Sequence, residues 1–134
     1  MQDSGSGSGR GLSLTEANLA AFDASAESGA YARVETSTAH RLVVVPAMFG
    51  QIAKHVGPDL KGMDVLCPGC GAGGEMTLLS GLGPRSLTGI ELSPKMAEVA
   101  RRRNPGATVH SGDLAEIELG NLDLAVAPGS RRLQ

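Results

Sequence analysis

The sequence predicts an α/β fold in which a mostly parallel sheet is flanked by helices. Three observations carry that prediction. Apolar runs at residues 63–67, 86–92, 107–110 and 122–127 read as strands, short enough and continuous enough to be buried on both faces. Helix-like patterns separate the first three, as parallel strands require of their connections. The first run ends abruptly in Gly69, Gly71, Gly73 and Gly74, a cluster that lets the backbone turn sharply and leaves its amides clear of side chains.

In chain order, residues 1–11 alternate Gly and Ser and are expected to form a flexible tail, because they have no apolar surface to bury. Ser13-Leu-Thr-Glu16 has the spacing of a capping box, followed by Leu19, Ala20 and Phe22 on one helical face, with Gly29 as the stop. Residues 31–38 are polar and without a clear period. Residues 42–45 stand open between strand and helix, since their β-branched members favour strands while their neighbours look helical. From Pro46 onward Met48, Ile52 and Val56 recur at helical spacing, and Gly57-Pro58 ends that helix. Residues 12–58 are thus read as an N-terminal helical segment and 59–134 as the sheet-bearing domain.

Beyond the glycine cluster a helix is expected over 74–80, carrying Met76, Leu78 and Leu79 and closed by Gly81 and Gly83-Pro84. Ser93 is placed to cap a second helix, with Pro94 at its first position. That helix, over 94–103, buries Met96, Val99 and Ala100, and its last turn holds Arg101, Arg102 and Arg103, where positive charge complements the helix dipole. Residues 114–119 are a short connection to the fourth strand.

Composition narrows the function classes. The 134 residues suit one small domain. A formal charge of −2, with basic groups scattered apart from the three arginines, gives no electrostatic footprint for nucleic acid. One Tyr, two Phe and no Trp supply little for stacking bases. The strongest apolar run, residues 42–49, is too short for a bilayer and is broken by Pro46. The N-terminus lacks the basic and apolar regions of a signal peptide. A cytoplasmic protein with reduced thiols is expected.

The chemistry sits at the ends of the strands. A glycine turn between strand and helix is the entrance to a nucleotide-type site in open α/β sheets. Glu91 closes the second strand, where a carboxylate can accept hydrogen bonds from both hydroxyls of a ribose. Ser111-Gly-Asp113 brings a further carboxylate to the same rim.

Three segments, Val65-Leu-Cys-Pro-Gly-Cys-Gly-Ala-Gly73, Gly89-Ile-Glu-Leu-Ser-Pro-Lys-Met96 and Ser111-Gly-Asp113, together resemble the Rossmann-like class I S-adenosylmethionine-dependent methyltransferases. The resemblance implies S-adenosylmethionine as cofactor and methyl transfer to a small-molecule nucleophile. It assigns the methionine portion to the glycine loop, with Cys67, Gly69, Cys70, Gly71 and Gly73, the ribose to Glu91 beside Leu92, and the adenine amino group to Asp113 between Gly112 and Leu114. The family usually has an acidic residue where this chain carries Cys67. By the same resemblance the strand order is third, second, first, fourth, and a complete domain would continue, so the sheet is expected to be truncated after the fourth strand. That leaves an uncovered apolar edge, and self-association is expected. Segments ahead of the first strand often cover the cofactor in this family, which makes Tyr31, Arg33 and His40 candidates for substrate contact, against the plainer reading of exposed positions. Ala127-Pro-Gly-Ser130 lacks the Asp or Asn, two prolines and aromatic of the amino- and DNA-adenine methyltransferases.

Other readings stand beside this one. Gly69-Cys-Gly-Ala-Gly-Gly74 also satisfies the G-x-G-x-x-G of NAD(P)-binding proteins, although the Leu92-Ser-Pro-Lys-Met96 continuation and Gly112-Asp113 fit the methyltransferase pattern better. Cys67-Pro-Gly-Cys70 is a C-x-x-C, yet His40, His55 and His110 are not paired at zinc-ligand spacing and no thioredoxin-like context surrounds it. No metal is expected. A catalytically silent cofactor-binding fragment is the reading from a different class. His110 and Asp123 are assigned no part in catalysis, and no catalytic residue is identified.

Overall fold

The computed structural model describes residues 14–127. Ser13, the glycine-serine tail and Pro128 onward lie outside them. Strands β1 (Asp64–Pro68), β2 (Ser86–Glu91), β3 (Thr108–Ser111) and β4 (Leu124–Ala125) form one sheet in the order β3-β2-β1-β4, all pairs parallel. Among the described residues five α-helices accompany it: α1 (Leu14–Ser28), α2 (Ala30–Glu35), α3 (Val45–His55), α4 (Gly74–Ser80) and α5 (Pro94–Arg103). The α/β class is that read from the sequence, and the strand order is that implied by the resemblance.

β1 is central because its residues satisfy both neighbours. Val65, Leu66 and Cys67 are buried and pair with Leu87, Thr88 and Gly89 on one side. On the other side, only Val65 and Leu66 find partners in β4. β4 is therefore much shorter than the expected 122–127. Among the described residues it has a single neighbour to supply ladder bonds, and Asp123 N–H to Asp64 O (2.9 Å) and Val126 N–H to Leu66 O (2.8 Å) mark its two ends.

The core forms where α3, α4 and α5 cover the sheet. Met48 and Ile52, four residues apart on α3, join Leu60, Val65, Cys67, Met76, Leu79 and Leu87 in one cluster. Gly89 in β2 is needed for that packing: a Cβ there would come within 2.6 Å of the Met76 sulfur and 2.9 Å of the Cys70 sulfur. Ser93 caps α5 as expected, its hydroxyl accepting the Met96 N–H at 3.1 Å.

The N-terminal half holds more helix than its pattern showed. Residues 40–44 form a π-helical turn that runs into α3, so the ambiguous β-branched run is helical. The wide turn has a local cause. Pro46 has no N–H to give to the preceding turn, and the Val45 N–H reaches back five residues to His40 O. Part of the polar stretch 31–38 is α2, entered through Gly29 at φ 77°. α1 lies along α5, where Ser93 Oγ bonds to Asp23 and Lys95 pairs with Glu27. Among the described residues no helix is long and apolar enough to cross a membrane.

Candidate functional site

The parallel sheet brings three loop segments to one rim. β1 gives way to the glycine loop at Gly69, and the Cys70 N–H bonds across to Ile90 O (3.0 Å), which ties the loop to the end of β2. Glu91 pairs in register with Ser111. Gly112 N–H then donates to Glu91 O at 3.0 Å, which sets Gly112 and Asp113 beside the β2 tip.

Glu91 is the pivot. The residue is only 6% exposed, and a carboxylate taken out of water needs donors. It finds two within the chain: Gly71 N–H to Oε1 at 2.7 Å and Ser93 N–H to Oε2 at 3.0 Å. Each oxygen retains acceptor capacity for a further donor.

The loop itself is shaped by left-handed glycines at Gly69 (φ 64°), Gly71 (φ 58°) and Gly73 (φ 84°). A Cβ added at Gly69 or Gly71 would meet nothing within 4 Å, so the space where a side chain would stand is open at both. Gly73 differs. A Cβ there would come within 2.7 Å of Asn104 Nδ2 and 3.0 Å of Ala100, because α5 lies against the loop. Asn104 Nδ2 donates to Gly73 O at 3.1 Å, and Arg103 Nη1 to Ala72 O at 3.0 Å.

Asp113 is exposed and caps a 3-10 turn at Leu114–Glu116, its Oδ1 accepting from Ala115 N–H at 2.9 Å. Leu92 and Leu114, 38% and 46% exposed, give the rim apolar side chains next to these carboxylates. Gly112 is half-buried.

Cys67 and Cys70 are both buried, in the same core cluster as Met76 and Leu79. Burial pushes each thiol up to about 12, with the other cysteine adding to the effect at Cys67 and Glu91 adding to it at Cys70. Thiols so reluctant to ionise are poor nucleophiles, which speaks against the redox reading of the C-x-x-C. Cys70 instead donates a weak hydrogen bond to Gly71 O at 3.7 Å.

The three N-terminal candidates are separated by the fold. Tyr31 is half-buried against Ala72, Met96 and Val99, with the Arg103 guanidinium 5.5 Å from its ring centroid. His40 Nε2 stands 3.4 Å from Glu75 Oε2 at the start of α4. Arg33 is exposed. His110 is half-buried on β3, paired with Ile90. Asp123 lies at the opposite, amino end of the sheet, accepting from Asp64 N–H at 2.8 Å.

Sequence reasoning missed Glu35, which binds Arg103 through two hydrogen bonds of 2.7 and 3.0 Å. It also read Arg103 only as a dipole complement. The pair is 68 residues apart, and no local pattern in one sequence reports it. A cavity of about 440 Å³ lies away from the glycine loop, between α3 and β4, lined by Val44, Met48, Ile52, Leu124 and Val126 among others, with no carboxylate among its described lining residues.

A methyltransferase-domain family model matches residues 65–131, half of the chain. A curated relative, the dTDP-3-amino-3,6-dideoxy-alpha-D-glucopyranose N,N-dimethyltransferase of Streptomyces fradiae, is 39% identical over 67 residues, which is 49% of this chain and 26% of the relative. Among solved structures, magnesium protoporphyrin IX methyltransferase from Synechocystis PCC 6803, with bound S-adenosylmethionine, superposes with a TM-score of 0.70 at 19% identity, over 90% of this chain and 64% of that one. A TehB-like S-adenosylmethionine-dependent methyltransferase from Corynebacterium glutamicum gives 0.60 at 23% identity, over 81% and 57%. The chain thus spans about a quarter of the curated relative (26%) and less than two thirds of these solved proteins (64% and 57%).

Proposed function

The chain belongs to the methyltransferase-domain family, whose class I members use S-adenosylmethionine, and from that premise we propose that it binds this cofactor on the carboxyl rim of its sheet and serves methyl transfer to a small-molecule nucleophile. One observation carries the reading. Glu91, Gly71 and Gly112 are joined by hydrogen bonds of 2.7 and 3.0 Å, so that the ends of β1, β2 and β3 make one continuous rim.

The residues present suit a nucleoside with an amino-acid tail. Glu91 has acceptor capacity for ribose hydroxyls, and Asp113 offers an exposed carboxylate for an exocyclic amino group. Leu92 and Leu114 present apolar surface for the faces of a purine. The open space beside Gly69 and Gly71 leaves room for the amino-acid portion close to the loop backbone, the Gly71 amide itself being held by Glu91. When bound, S-adenosylmethionine supplies an activated methyl group. The chain's own task is to hold and orient, which is where most of the rate gain in such a transfer is available. The Streptomyces fradiae relative is named for N,N-dimethylation of a nucleotide sugar, which supports a small molecule as acceptor. We also read the edge of β4 that has no partner among the described residues, with its neighbouring apolar cavity, as a surface for self-association, and the protein as cytoplasmic.

Calorimetric titration of the purified chain with S-adenosylmethionine, S-adenosylhomocysteine and NAD tests the reading. Binding of the two adenosyl compounds without NAD is expected, and NAD binding alone would overturn it. Adenosyl binding with no methylated product from a panel of amino, hydroxyl and thiol acceptors would keep the cofactor site and remove the transfer.

A further inference from the structure

Two consecutive residues at the end of α5 hold two consecutive carbonyls of the glycine loop. Asn104 is 6% exposed, holds Gly73 O and receives the Thr77 hydroxyl at 3.0 Å, so that half is a fixed buried joint. Arg103 is the other half, and a third of its side chain meets solvent (33%). The same guanidinium that holds Ala72 O reaches out to both oxygens of Glu35 and sits over Tyr31. Glu35 in turn lies directly on the loop. A Cβ at Gly74 would come within 2.6 Å of its Oε2.

α2 is therefore seated on the glycine loop, and by unusual means. It is six residues long and has no buried residue. Its own helicity cannot hold so short a helix in place, and its apolar anchor is the Tyr31 ring, half-buried against Ala72, Met96 and Val99. Beside that ring it is held by a two-pronged, charge-assisted contact, strong but reversible and sensitive to ionic strength.

Resting on the assignment of the loop to a nucleoside cofactor, we infer that Glu35 and Arg103 form a latch that keeps α2 closed on the loop, with Arg103 as the positioning residue for Ala72. Shut, it fixes the Ala72 carbonyl between two left-handed glycines and covers that side of the loop. Open, it frees the loop to admit or release the cofactor. The pair thus sets exchange rates more than final affinity.

The test uses the 134-residue chain, S-adenosylhomocysteine as probe, and Glu35→Gln, which keeps size and removes charge. Stopped-flow mixing should show association and dissociation both faster by roughly tenfold, the loss of about one charge-assisted hydrogen bond. The dissociation constant should move less than threefold. Raising salt should speed the wild type and leave the variant unchanged. Amide exchange without ligand should rise in α2 and stay constant in β1 and β2, which separates an opened latch from a damaged fold. Rates and α2 exchange within twofold of wild type would overturn the latch. A wild type that ignores S-adenosylhomocysteine, with α2 exchange still raised by Glu35→Gln, would remove the cofactor assignment and the gating role together while leaving the contact itself standing.

Discussion

Glu91 at the tip of β2 accepts the amide hydrogen of Gly71 at 2.7 Å, across twenty residues of chain. The carboxylate proposed to hold a ribose also holds the loop beside it, so one substitution touches both. Glu91→Ala should weaken S-adenosylhomocysteine binding by about ten- to a hundredfold. It should also destabilise the protein by about 2–4 kcal/mol, because the Gly71 and Ser93 amides lose their acceptor. Glu91→Gln retains one carbonyl oxygen and turns an amino group toward the other amide, so an intermediate loss of stability is expected. Titration calorimetry and thermal unfolding read the two effects separately, and unchanged affinity in Glu91→Ala would defeat the ribose assignment.

Gly73→Ala tests the joint between α5 and the loop. The left-handed φ of 84° and the 2.7–3.0 Å approach of Asn104 and Ala100 leave no place for a methyl group. A loss of about 2–4 kcal/mol is expected from the two causes combined. Gly71→Ala meets open space and keeps only the conformational cost, about 1–2 kcal/mol. Urea unfolding of the two variants should rank them in that order.

How far the sequence led is clearest on this joint. Ser93, Pro94 and the glycines are local signals, and they placed α4 and α5 at the bounds observed. The sequence also put Glu91 and Asp113 on one rim, since parallel strand ends must share an edge. It could not show that Asn104 and Arg103 reach back to Gly73 and Ala72, because nothing in a helix end announces a contact 31 residues away. α2 escaped for a related reason. With no buried face it has no period to read, and its position is fixed by Glu35 and Tyr31 through tertiary contacts. β4 was read too long because apolar character alone does not reveal how many residues find a partner.

Cys67 and Cys70 should resist alkylation. With both thiols pushed up to about 12, iodoacetamide at pH 8.5 should label neither in the native protein and both in denaturant, read by mass spectrometry. The linkage runs in one direction. Unfolded thiols ionise above their ordinary value of 9.0 while the folded ones stay protonated, so stability should fall as pH rises from 9 toward 12. Cys67→Ser with Cys70→Ser should remove that alkaline slope, whatever its own cost to packing.

Asp64 governs the acid side at the opposite end of the sheet. Hydrogen bonds from Arg85 and Ser86 hold its carboxyl down at about 2, against an ordinary 3.8. A depressed value means that its contribution is present above about 3.8 and is lost as pH falls toward about 2. Asp64→Asn should flatten the fall in stability over that window, measured by thermal unfolding at stepped pH. An unaltered acid profile would show that the pairing contributes nothing.

The arginine run at the end of α5 looks redundant in composition but divides its labour. Arg101 Nε donates to Val109 O at 3.1 Å, Arg102 faces Glu98 at 3.6 Å, and Arg103 alone touches Ala72. Lysine scanning across these neighbours should therefore give an uneven profile: tolerance at Arg102, a slackened β3 at Arg101, and altered ligand kinetics at Arg103. Three copies of one residue, side by side, are three separate commitments that cannot be traded for one another.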